Sequence, residues 1–122
     1  MVMKREDKEL LLKDLSARLV YDCKVAIATG GIDGLQWNNV TLNSYLLYQI
    51  EEEDSLEYVK PYLRPMSSMT EEEKEQIRDF WIDADVKTHA TQLIDFYNKY
   101  HFDYRGLISK GLALEAPEGM YN

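Results

Sequence analysis

The sequence predicts an α+β fold: an N-terminal helix, an antiparallel sheet of three to four strands, then two longer helices and one short C-terminal helix. Three observations carry this. Leucines at helical spacing open the chain, alternating apolar runs separated by turn residues fill 23–60, and a capping box at Thr70 opens a second helical half. At 122 residues the chain reads as a single domain, divided into 1–20 helix, 23–60 sheet, 61–70 Pro-bracketed junction, 71–111 helical part and 112–122 tail.

The leading helix is expected from Lys8 to Val20, where Leu11, Leu12, Leu15 and Leu19 share a face and Lys8, Lys13 and Arg18 lie off it. Cys23 to Thr29 reads as a strand, and Gly30-Gly31 ends it. No GK[ST] or G-x-G-x-x-G follows, so the glycine pair reads as a hairpin turn and not a phosphate loop. Gln36-Trp37 is a short strand before a turn at Asn38-Asn39. Val40 to Ile50 is expected to be the central strand, because Val40, Leu42, Leu46, Tyr48 and Ile50 alternate, with Ser44 the one gap. Leu56 to Lys60 is a last short strand that Pro61 stops, since proline fixes φ and removes a donor. The short connections require antiparallel pairing.

Thr70 and Glu73 form the capping box, and Glu71, Glu72 and Glu73 set negative charge at the positive end of the helix dipole. That helix runs from Glu71 to about Ala84 with Ile77, Phe80, Trp81 and Ala84 as its apolar stripe, so Trp81 is expected against the sheet. Asp83 or Asp85 caps the next helix, Val86 to His101, whose apolar face is Val86, Ala90, Leu93, Ile94, Tyr97 and Tyr100. Asp103 caps a short final helix holding Tyr104, Leu107 and Ile108, with Gly111 its left-handed terminator, and Ala116-Pro117 ends the ordered chain.

The net charge of −8 lies in one stretch. Residues 1–50 hold six acids and six bases, 86–122 four of each, and 51–85 twelve acids against four bases. Phosphate contact depends on Lys and Arg, so this balance argues against direct nucleic-acid binding and against an anionic membrane. It favours a basic or mixed-charge protein partner. Lone Cys23 excludes an internal disulfide, and no run has the composition of a signal peptide or membrane span, so the chain reads as cytoplasmic.

No catalytic, metal or cofactor site is predicted. His89 and His101 are twelve apart, not at the i, i+3 or i+4 spacing of a helical metal site, and read as partly buried structural histidines. Asp83 and Asp85 are two apart and do not face each other on a helix. Cys23, Ser67 and Ser68 lack a recognisable nucleophile setting. The nine tyrosines read as packing residues without the cationic groove that single strands need.

The candidate site is instead a column. Glu71, Glu75, Asp79 and Asp83 repeat at i, i+4, with Ile82 an aliphatic beside them. Each like-charge pair costs about 0.2–0.5 kcal/mol, which Lys74 and Arg78 offset in part. These five residues are the expected partner-binding surface.

PYLRPMSSMTEEE (Pro61 to Glu73), HFDYRGLISKGLALEAPEGMY (His101 to Tyr121) and KELLLKDLSARL (Lys8 to Leu19) resemble stretches of small proteins from Bacteroides-type gut bacteria and their phages. The resemblance implies a phage or mobile-element setting and carries over no functional residue. The function expected is a small acidic binding protein that modulates a host protein through its acidic middle segment. Two alternatives stand beside it. One is a DNA mimic, although residues 71–85 net only −5 where duplex DNA presents about thirteen charges over the same length. The other is a small-molecule binder or enzyme with a pocket between sheet and helices.

Overall fold

The chain runs α1 (Arg5–Ala17), β1 (Lys24–Gly31), β2 (Gly34–Thr41), α2 (Ser44–Glu52), β3 (Val59–Leu63), α3 (Glu71–Asp83), α4 (Val86–Lys99) and β4 (Leu114–Glu115), with short 3₁₀ turns before β3 and before α3. The computed structural model describes residues 3–31, 34–83 and 86–121, and side-chain surroundings within these except at 31, 81–83 and 86–89. The fold is α+β. Its sheet has the order β2-β1-β3-β4, with the first three strands antiparallel and β4 parallel to β3, so the sheet is mixed and not wholly antiparallel.

Helix α1 presents Leu11 and Leu15, both fully buried, to Val25, Val59 and Leu63 of the sheet's inner face, while Leu12 and Leu19 pack at the margin. It stops at Ala17, short of Val20, with Arg18 as its C-cap. Its guanidinium is wholly buried, donating to Asp14 at 2.9 and 3.1 Å and to the Phe102 carbonyl at 2.6 Å. Arg105 adds a second cation on Asp14 at 2.8 Å. Arg18 therefore does not lie off the leucine face: it is seven residues after Leu11 and three after Leu15, which places it on that face at 3.6 residues per turn.

The largest correction concerns Val40–Ile50. Only Val40 and Thr41 are strand, ending β2, and Ser44–Glu52 is helix α2. Asn43 caps it, its side-chain oxygen accepting from the Leu46 N–H at 2.8 Å. Leu42, Leu46 and Ile50 are spaced by four, which fits a helix as well as an alternating strand. Leu47 and Ile50 are buried, whereas Tyr45 and Tyr48 are 69% and 62% exposed, the burial pattern of a helix. Nor do Asn38-Asn39 turn the chain: β2 runs through them in unbroken register with β1.

Pro61 does not stop β3 but sits in its middle, opposite Val25. The Leu42 N–H donates to the Cys23 carbonyl, so that pair is a bonded rung. Rungs alternate, so odd-numbered residues of β1 face β2 and even-numbered ones face β3. The Val25–Pro61 rung is therefore unbonded, and the missing donor costs nothing there. One rung on, the Lys24 N–H donates to the Tyr121 hydroxyl at 2.9 Å, and that hydroxyl donates to the Tyr62 carbonyl at 2.7 Å.

The capping box forms as expected, with the Thr70 N–H on Glu73 at 2.9 Å and the Glu73 N–H on Thr70 at 3.2 Å. Ile77 and Phe80 are half-buried; the expected burial of Trp81 and Ala84 falls outside the described side chains. On α4 Phe96 and Asn98, on different sides of the helix, are buried, and Ile94 is 47% exposed. No final helix follows Asp103. Its carboxylate accepts from Leu107 and Ile108 N–H groups, but a chain of turns continues to Gly111, which has φ 75 as its terminator role requires. The expected tail is structural: Leu112 and Ala113 are core, 114–115 are β4, and Tyr121 ties β1 to β3.

Candidate functional site

The rung alternation that spares Pro61 also fixes what β2 presents outward. Gln36, Asn38 and Val40 aim their N–H and C=O groups at β1; Leu35, Trp37, Asn39 and Thr41 aim theirs away, at the sheet's edge. Strand β2 is terminal in the sheet, so among the described residues those groups have no strand beside them. Every residue from Gly34 to Val40 is exposed, including Leu35 at 53% and Trp37 at 45%. Edge strands are ordinarily blunted by charge, proline or a bulge. Residues 34–41 contain no charge and no proline, and their register has no bulge.

The same four side chains lie on the sheet face opposite the core. In the middle of that face β1 offers Ala26 and Ala28, beside Asn39 and Trp37. Because they are small, long side chains from β3 pass over them. Tyr62 donates to Asn39 Oδ1 at 2.9 Å, and Lys60 Nζ stands 5.9 Å from the centre of the Trp37 ring. Ala26 and Ala28 are 1% and 9% exposed. Lys24 Nζ reaches Thr41 Oγ1.

The structure brings three of the five predicted site residues together: Glu71, Glu75 and Asp79 are exposed along one side of α3. Ile82 and Asp83 lie outside the described side chains. Lys74 pairs with Glu71 at 3.2 Å in the open, a contact of small worth. Glu73 is turned inward, where Arg64 grips both its oxygens at 2.8 Å while stacking 4.2 Å from the Phe102 ring. The Arg64 hydrogen bonds hold the Glu73 carboxyl below its usual range. Glu51–Asp54 precede β3, with Asp54 held by Lys8, and α3 follows its other end, starting beside Arg64.

A cleft of about 740 Å³ opens where α3 meets the C-terminal turns, lined by Arg64, Glu73, Tyr100, Glu115, Pro117 and Tyr121 among others. Beneath it the Tyr121 ring stacks on His101 at 3.8 Å, and its hydroxyl lies 3.8 Å from Cys23 Sγ. A Cys, His and Tyr in one place suggest nucleophilic chemistry, but the electrostatics run the other way. Burial pushes the Cys23 thiol up to about 11 and, with Arg18 and Arg64 nearby, holds His101 down to about 4. Burial also raises the Tyr121 hydroxyl. An attacking thiol needs its pKa lowered; here all three groups are held neutral, which suits a buried brace. His89 and Asp85 lie outside the described side chains, and among the described residues no group of three or more His, Cys, Asp or Glu is placed to hold a metal.

Sequence reading located the acid column and missed the β2 edge. The run GLQWNNVT is uncharged, but no residue in it states the strand order that makes it an edge, and its Asn38-Asn39 pair reads as a turn. No family model, curated protein or solved structure matches the chain. No helix is long and apolar enough to cross a membrane among the described residues.

Proposed function

We propose that the protein is a binding module that accepts an extended segment of a partner protein along β2, adding a strand to its sheet. One observation carries this reading: Leu35, Trp37, Asn39 and Thr41 direct four N–H and four C=O groups outward from an exposed, uncharged, unbulged edge. Strand addition draws affinity from such main-chain groups and specificity from alternate side chains. Each new hydrogen bond contributes about 0.5–1.5 kcal/mol net. Trp37 and Leu35 supply the apolar contact that makes the pairing worth its ordering cost.

Backbone chemistry tests it without altering the protein. A strand-forming peptide N-methylated at alternate amides has two versions, one blocking the amides that face β2 and one blocking those that face away. The first should lose binding and the second keep it; equal binding of both would refute strand addition.

A second surface is favoured by a different observation. Glu71, Glu75 and Asp79 stand exposed along α3, and among the described residues only Glu71 is in an ion pair, with Lys74. This supports a contact with a basic or mixed-charge protein, consistent with modulation of a host protein in the phage or mobile-element setting that the sequence resemblance implies. Its test is the salt dependence of association, which falls as salt rises if the column steers the encounter.

A further inference from the structure

On the reading that β2 accepts a strand, we infer that the segment it takes is acidic, with two carboxylates four residues apart. The charge beside the edge is the argument. The protein carries −8 overall, yet the outer face along β2 is lined by cations. Lys60 crosses β1 to place its ammonium over Trp37, and Lys24 crosses to Thr41. Neither lysine is in an ion pair among the described residues. No carboxylate occurs anywhere in β1, β2 or β3.

The spacing follows from the strand. Trp37 and Thr41 are four apart with side chains on the same face, about 13 Å along β2. An added strand sets residues beside them that are likewise four apart and on that face. A carboxylate at each position meets one ammonium, and the residue between them meets Asn39. Opposite charges on neighbouring strands stabilise the pairing, and like charges oppose it. A second copy of the chain fits this edge less well, because pairing β2 with itself brings the four lysines of two copies onto one face with no acid between them.

The test compares two capped peptides, TEVTVEVT and TKVTVKVT, on the native protein at about 0.15 M salt. The net charge of −8 favours the lysine peptide at long range. A preference for the glutamate peptide must therefore arise locally. It should bind roughly tenfold more tightly or better, and the Lys24→Glu, Lys60→Glu double variant, folded by circular dichroism, should invert the order. Equal binding of both peptides overturns the acidic preference and leaves strand addition standing. Binding of neither overturns both readings. A native chain that sediments as a dimer with the outward amides of β2 already protected assigns the edge to a second copy, and the inference fails.

Discussion

Tyr62 on β3 donates its hydroxyl to Asn39 on β2 at 2.9 Å, spanning the whole width of β1 above Ala26. The bridge exists because β1 is small there. Ala26→Leu should lift Tyr62 and Lys60 off the face and destabilise the fold by about 1–3 kcal/mol, as overpacking does. Asn39→Ala, which removes only an exposed hydrogen bond, should cost less than about 1 kcal/mol. Chemical denaturation of the two variants checks the order.

Tyr121 tests whether the C-terminal segment is part of the fold. Tyr121→Phe keeps the stack on His101 but leaves the Lys24 N–H and the Tyr62 carbonyl without their shared partner. The cost should be about 1–3 kcal/mol, with faster exchange of the Lys24 amide. A variant as stable as the parent would show that β1 and β3 close that rung themselves.

His101 gives stability a pH dependence with a definite sign. It is 7% exposed, and burial together with the cations Arg18, Arg64 and Lys24, opposed by Asp22, lowers its pKa from 6.5 to about 4. The unfolded chain therefore binds more protons between those values, and folding stability declines as pH drops from about 6.5 to about 4, by at most ~1.4 kcal/mol per pH unit. Above that window the contribution is fully present. His101→Asn, a residue that tolerates the left-handed backbone at φ 64, should flatten the slope in that window relative to the parent. Identical slopes would remove His101 as the cause.

What was legible in the sequence was local. The Thr70–Glu73 capping box depends on residues three apart and forms as read; of the acid column, Glu71, Glu75 and Asp79 are exposed on α3, and Asp83 lies outside the described side chains. Leu11 and Leu15 needed only the helical period. Val40–Ile50 misled because Leu42, Leu46 and Ile50 satisfy two periods at once, and the Asn43 cap decides between them. Pro61 is tolerated through rung parity, which depends on a hydrogen bond between Cys23 and Leu42. Arg18 is buried because Phe102, 84 residues away, supplies a carbonyl. The β2 edge is a property of strand order, and nothing within Gly34–Thr41 states which strand lies beside it.

The acid column gives opposite expectations for stability and binding. Glu75→Gln with Asp79→Asn should raise stability by a few tenths of a kcal/mol by relieving like-charge i, i+4 repulsion. If the column steers a basic partner, association with that partner should slow and lose its salt dependence, with dissociation little changed. Unchanged association across a wide salt range would leave α3 a solvated face.

Strand addition at β2 is tested most directly by residue-resolved amide exchange, measured free and with the TEVTVEVT peptide. In the free protein the amides of Gln36, Asn38 and Val40 should be protected by β1, and those of Leu35, Trp37, Asn39 and Thr41 should exchange fast. On addition of the peptide the second set should become protected while the first changes little. Uniform protection along β2 in the free chain, or no new protection at the four outward amides in the bound one, would contradict it.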